Sequence, residues 1–153
     1  MSTHKVAVLM GSPRDGDKMA AATETLAELG IDTEVRVLSA HRHPLEVAEF
    51  AAAARDDGYG AIICGAGMAA HLAGAVAART TLPVIGVPLS GGLADGLDAL
   101  LSTVQMPRGM PVATVAVDGS LNAALLAAQI LAVGDPDLVE RIEADRGERA
   151  DQT

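Results

Sequence analysis

Val6-Ala7-Val8-Leu9-Met10-Gly11-Ser12-Pro13-Arg14-Asp15-Gly16 decides how the rest of the chain is read. The apolar run Val6–Met10, closed by a glycine, has the pattern of a buried strand. An Ala-rich helical pattern begins only a few residues later, at Lys18. A strand that turns through glycine into a helix is the entry to a βαβ unit, whose strands lie parallel. The turn itself has chemical potential, because a helix N-terminus attracts anions through its free N–H groups and dipole. Ser12 adds a hydroxyl donor, and Arg14 can hold a phosphate with two hydrogen bonds. Asp15 suits either a ribose diol or the helix N-cap, so a plain capped turn is the competing reading. The Walker A pattern is absent, since no Gly-Lys-Ser/Thr follows.

The same unit recurs along the chain. Further strand patterns fall at Glu34–Leu38, Ala61–Cys64, Pro83–Val87 and Val112–Val117. Helical patterns fall between and after them, at Lys18–Leu29, Pro44–Asp57, Ala69–Arg79, Leu93–Thr103 and Leu121–Val133. Such alternation predicts a parallel sheet covered by helices on both faces, a three-layer, doubly wound α/β/α domain. Ligands of these domains bind at the carboxyl ends of the strands. That rule selects Gly11–Asp15, Ser39–Pro44, Gly65–Gly74 and the stretch after Val87.

Asp135-Pro136-Asp137 closes the core and opens a charged helix, Asp137–Glu148, with Leu138, Val139 and Ile142 in one narrow stripe. We expect a catalytic domain over 1–134 and a tail helix over 135–153 that packs on a neighbouring subunit, frayed from Gly147 onward.

Composition narrows the function. At 153 residues and 50% hydrophobic, the chain suits one globular domain. Its net charge of −9 argues against a nucleic-acid surface, so an anionic ligand must be gripped locally. One Phe, one Tyr and no Trp leave few faces for stacking a flavin or base. No stretch is long and apolar enough to span a membrane, and a lone Cys64 excludes an internal disulfide. The chain therefore reads as cytoplasmic.

Three further loops carry chemistry. In Ser39-Ala40-His41-Arg42-His43-Pro44, proline at the first helical turn leaves the preceding residues facing the crevice. His41 can move a proton near neutral pH, and Arg42 can pair with a phosphate. His41 and His43 could instead form half a metal site with His71 or Cys64, though no acidic ligands accompany them. Cys64-Gly65-Ala66-Gly67-Met68-Ala69-Ala70-His71 superficially matches a dinucleotide fingerprint, but it follows the third strand and lacks the later acid. A ligand lying close to the backbone explains its small residues better, with His71 either facing the crevice or held within the helix. Gln105–Pro111 is stiffened by prolines and could wall the site from its own or a neighbouring subunit.

Together these motifs resemble the N5-carboxyaminoimidazole ribonucleotide mutases of purine biosynthesis, in their class I form. The resemblance spans about Val6 to Leu131. It rests on Gly11-Ser12 with Asp15, Ser39-Ala40-His41-Arg42 with Pro44, Gly65 to Leu72, Leu82–Pro88, Gln105–Val112 and Asn122–Ala127. Class II relatives usually carry a Gly-Arg-Ser-Asn type run after the third strand, where this chain has Gly67-Met68-Ala69-Ala70-His71. The resemblance implies a flavodoxin-like, five-stranded parallel sheet and a homo-octamer with sites near subunit contacts. It also implies transfer of a carboxylate from N5 to C4 of an aminoimidazole ribonucleotide, with CO2 released and recaptured. His41 becomes the catalytic proton carrier. Ser12, Arg14, Asp15, Ser39, Arg42, Gly67, Ala69, His71 and Leu72 become substrate contacts, with no metal and no organic cofactor. Arg14, Gly16, His43, Met68 and Ala73 depart from the family pattern. They leave room for a diverged carboxylase or decarboxylase of the same fold. A non-catalytic nucleotide-binding oligomer fits less well, because Ser12, Asp15, His41 and Arg42 are all present, and an FMN-binding protein explains only Gly-Ser-Pro-Arg.

Overall fold

The computed structural model describes residues 4–152. The first three residues of the expected domain and the last residue of the expected tail lie outside that range. The strands are β1 (Lys5–Met10), β2 (Asp32–Val37), β3 (Ala61–Gly67), β4 (Val84–Leu89) and β5 (Ala113–Thr114). The helices are α1 (Gly16–Glu28), α2 (Pro44–Ala53), α3 (Leu72–Ala77), α4 (Leu97–Val104), α5 (Ser120–Ala132) and α6 (Pro136–Asp151).

All neighbouring strands pair in parallel, in the order β2-β1-β3-β4-β5. This is the expected flavodoxin-like sheet. The chain starts in the middle, runs to one edge and returns to build the other side. Its winding direction therefore reverses between β1 and β3, where the loops diverge and leave a crevice. Gly11 N–H donates to the Gly65 carbonyl at 3.2 Å, so the two strands stay joined up to that crevice.

Alternation along β1 divides the core. Val6, Val8 and Met10 pack with Met19 and Leu26 of α1, the alanines of α5, and Ile63 and Ile85. Ala7 and Leu9 face the other way, onto Val47 and Phe50 of α2, Leu72 and Val76 of α3, and Cys64. Small residues bring helices close to the sheet. A side chain at Gly65 would collide with the Met19 thioether, and one at Gly86 with Thr103 of α4.

Several expectations change. β3 continues through Gly67 instead of stopping at Cys64, and α3 begins at Leu72 instead of Ala69. Gly65 and Gly67 are thus strand residues, which removes the fingerprint reading, and Gly65 makes room for Met19 instead of a ligand. β5 shrinks to two residues, and α4 starts at Leu97 after a short 3-10 turn at Leu93–Asp95.

The tail helix departs most. It keeps helical form to Asp151, past the expected fraying at Gly147. Leu138 and Ile142 are buried in the chain's own core, against α5 and α1, while Val139 stays 39% exposed. Three anchors hold it. Asp135 caps α6 through the Asp137 and Leu138 N–H groups, His4 pairs with Asp135 at 2.6 Å, and Arg141 donates to the Leu29 carbonyl at 2.7 Å. The stripe looked unpartnered in sequence because part of its partner, α1, lies far away along the chain, and periodicity does not show that α6 folds back on the neighbouring α5.

Candidate functional site

A cleft of about 870 Å³ opens at the carboxyl ends of β1, β2, β3 and β4. All ten residues proposed from the sequence line it: His41, Ser12, Arg14, Asp15, Ser39, Arg42, Gly67, Ala69, His71 and Leu72.

The turn after β1 is a short 3-10 helix, Pro13–Asp15, capped by the Ser12 hydroxyl, which accepts from Arg14 N–H at 3.3 Å. Asp15 then sits at the N-cap position of α1 but makes no side-chain capping bond. Of the two readings of Asp15, the structure leaves its carboxylate available to the cleft. Burial lifts its pKa above the ordinary value, against a Ser12 backbone hydrogen bond and the charge of Lys18.

The loop after β2 is closed by its own residues. Ser39 Oγ accepts from Arg42 N–H at 3.3 Å, and His43 Nδ1 accepts from Ser39 N–H at 3.4 Å. His43 N–H also donates to the Ser39 carbonyl at 2.8 Å. His43 is thereby a loop-closing residue, while His41 and Arg42 project outward, exposed. Cys64 is buried in the core half that α2 and α3 cover. Among the described residues no group of three or more His, Cys, Asp and Glu could hold a metal ion.

His71 stands at the N-cap position of α3 with no capping bond from its side chain. Its ring lies 5.5 Å from that of His41, tilted by 55°. The two imidazoles come from different crossovers and meet over the cleft, which settles His71 as a cleft residue.

Sequence reasoning missed the loop after β4 at residue level. Ser90 and Gly91 line the cleft. The Ser90 carbonyl accepts from Lys18 Nζ at 2.7 Å, its N–H donates to Asp118 at 2.9 Å, and Gly91 N–H donates to Asp95 at 3.0 Å. Burial pushes the Asp118 carboxyl up, but the Ser90 hydrogen bonds and Lys18 outweigh it and leave its pKa lowered. The available signal was Ser90-Gly91-Gly92 directly after an apolar strand. Gln105–Pro111, by contrast, does not line the cleft of its own chain; Met106 packs against α3, near Gly74.

The strand order and the cleft at its switch point define a flavodoxin-like α/β protein with its site in the crevice. The chain belongs to the AIR carboxylase family, whose model matches residues 5–152. It is 53% identical over 147 residues to the N5-carboxyaminoimidazole ribonucleotide mutase of Mycobacterium tuberculosis, covering 96% of this chain and 84% of that one. Identity to the mutase of the same name from Bacillus subtilis is 49% over 150 residues, covering 97% and 92%. The crystal structure of Treponema denticola PurE superposes with a TM-score of 0.88 at 27% identity, covering 97% of this chain and 93% of that chain. The resemblance drawn from the motifs is borne out, as is the expectation of an enzyme of the isomerase type. Among the described residues no helix is long and apolar enough to cross a membrane.

Proposed function

We propose that this chain moves a carboxylate from the exocyclic N5 to ring carbon C4 of an aminoimidazole ribonucleotide. Relatives named for that activity at about half identity support the reading, and the observation that carries it is the composition of the cleft. An anion grip (Ser12, Arg14, Arg42), the Asp15 carboxylate and two neighbouring imidazoles line one pocket. The 5′-phosphate sits at the Ser12–Arg14 turn, where the α1 N-terminus and guanidinium groups are concentrated. Asp15 accepts from the ribose hydroxyls. The carbamate C–N bond breaks, its electron pair returns to nitrogen, and CO2 is held until C4 attacks it. His41 moves the proton between the leaving nitrogen and C4, with His71 beside it to share or orient that proton. No metal and no organic cofactor enters this scheme.

Self-association belongs to the same reading, with a homo-octamer as the form implied by the resemblance and a cytoplasmic setting. Leu97, Leu101 and Val104 recur on one face of α4 and are each nearly half exposed. That stripe is the natural subunit contact, since Leu138 and Ile142 are already buried in their own chain. One experiment tests both parts. Purified protein is given the N5-carboxylated ribonucleotide, C4-carboxylate formation is followed by absorbance, and native mass is measured on the same sample. Absence of the C4-carboxylate defeats the reaction; full turnover at a single-subunit mass defeats the assembly.

A further inference from the structure

Among the described residues, the β3–α3 loop holds the one large apolar side chain that the cleft exposes. The other apolar residues lining it are Pro13, small alanines and Leu72, and Leu72 is 2% exposed in the core. Met68 is 66% exposed and lines the same cleft. Its backbone has φ +55°, a left-handed conformation that L side chains adopt at a cost and glycine adopts freely. The loop keeps it there. The Met68 carbonyl accepts from Ala70 N–H at 2.8 Å, and the Ser102 hydroxyl of α4 reaches it at 3.5 Å. A strained residue that buries nothing in the core calls for a role outside the core.

Resting on the mutase reading, we propose that Met68 is a specificity-determining residue: its thioether arm folds over the bound carbamate and keeps the released CO2 in the cleft. The chemistry needs such a cover. Once the C–N bond has broken, the CO2 has two fates. C4 can attack it, forming the C–C bond and giving up its ring proton, which completes the transfer. Alternatively CO2 diffuses out, the nitrogen keeps its new proton, and the decarboxylated ribonucleotide is lost to the pathway. The cleft of about 870 Å³ is lined mostly by small and polar residues, which give CO2 little apolar cover apart from Met68. Methionine suits the task, being unbranched, apolar and able to change shape around a ligand.

The test uses substrate labelled with 13C in the carboxylate, in buffer rich in unlabelled bicarbonate. Label retained in the C4-carboxylate and the yield of decarboxylated ribonucleotide are measured for wild type, Met68→Gly and Met68→Leu. Wild type is expected to retain most of its label. Met68→Gly should lose label and leak decarboxylated product several-fold more, while melting no lower than wild type, because glycine relieves the positive φ. Met68→Leu, which keeps the apolar bulk, should stay near wild type. Equal retention in wild type and Met68→Gly overturns the role, as does equal leakage in Met68→Leu and Met68→Gly. A wild-type protein that forms no C4-carboxylate overturns both this inference and the mutase reading.

Discussion

The two ends of the sheet differ in where their ion pairs fall. At the amino end and outer flank, side chains satisfy one another. Glu34 is held by Lys5 at 3.1 Å, by Arg36 and by the Tyr59 hydroxyl, while Lys5 lies 4.0 Å over the Tyr59 ring. The His4–Asp135 and Arg149–Glu28 pairs and the Arg141 bond to the Leu29 carbonyl fasten α6. At the carboxyl end, none of the ion pairs found among the described residues includes Arg14, Asp15, His41, Arg42 or His71. Among the described residues, the four non-glycine residues with positive φ, namely Met68, Ala94, Asp95 and Asp118, also lie on loops of this end. One end is built to hold the chain together; the other leaves charge and strain unspent, as a binding site requires.

The sharpest way to break this contrast is His41→Asn. An exposed residue with no ion pair should leave the melting temperature unchanged, yet turnover should fall at least about a hundredfold, the usual worth of positioned acid–base catalysis. Turnover within threefold of wild type removes His41 from the mechanism. Leu138→Ala should do the reverse. Emptying a fully buried leucine site in the tail costs about 2–5 kcal/mol of stability. Denaturant unfolding should show that loss, and the kcat of the remaining folded enzyme should hardly change. An unaltered midpoint would mean that α6 does not pack on its own chain.

Arg42→Ala sharpens the carboxyl end. It should weaken a ribonucleotide by about 1.5–3 kcal/mol, as expected for a charge-assisted hydrogen bond. Calorimetry with ribose 5-phosphate should show the same loss; a loss confined to the full nucleotide would move Arg42 to the base or carboxylate. The smallest effect belongs to Glu34. Hydrogen bonds from Tyr59, Arg36 and Lys5 lower its pKa from 4.5 to about 2. A carboxylate with a lowered folded pKa contributes stability above its unfolded value and loses it as pH falls through the folded one. Glu34→Gln should therefore flatten part of the stability change between pH 4.5 and about 2 and leave pH 7 turnover intact. An unchanged acid unfolding curve would show that the cluster is only a surface arrangement.

How far the sequence discloses these two ends follows from the range of the forces involved. Strand and helix order is set by local periodicity, so the alternation from Val6 onward leads directly to the parallel sheet and to the cleft at its carboxyl edge. Residues named for chemistry that local spacing supports, such as Ser12, Arg14, His41 and Arg42, come together as expected. What periodicity does not carry is contact between distant segments. Gly65 reads as ligand space until Met19 is seen to fill it. The Leu138/Ile142 stripe reads as exposed until α1 and α5 are seen beneath it. Ser90 and Gly91 gain meaning only through Lys18, Asp95 and Asp118, none of which is adjacent to them in sequence. His43 mimics a ligand in sequence, but its ring nitrogen is taken by a backbone N–H four residues back.

Cys64, the chain's single cysteine, is wholly enclosed among aliphatic side chains, and burial pushes its thiol pKa far up. Thiolate-seeking reagents therefore meet an inert background in the folded protein. A cysteine introduced at position 68, or on the exposed face of α4, would be the sole reactive handle in the native chain. Spectroscopic probes for the motion of the β3–α3 loop, or for distances between assembled subunits, can be attached there without first removing a native thiol.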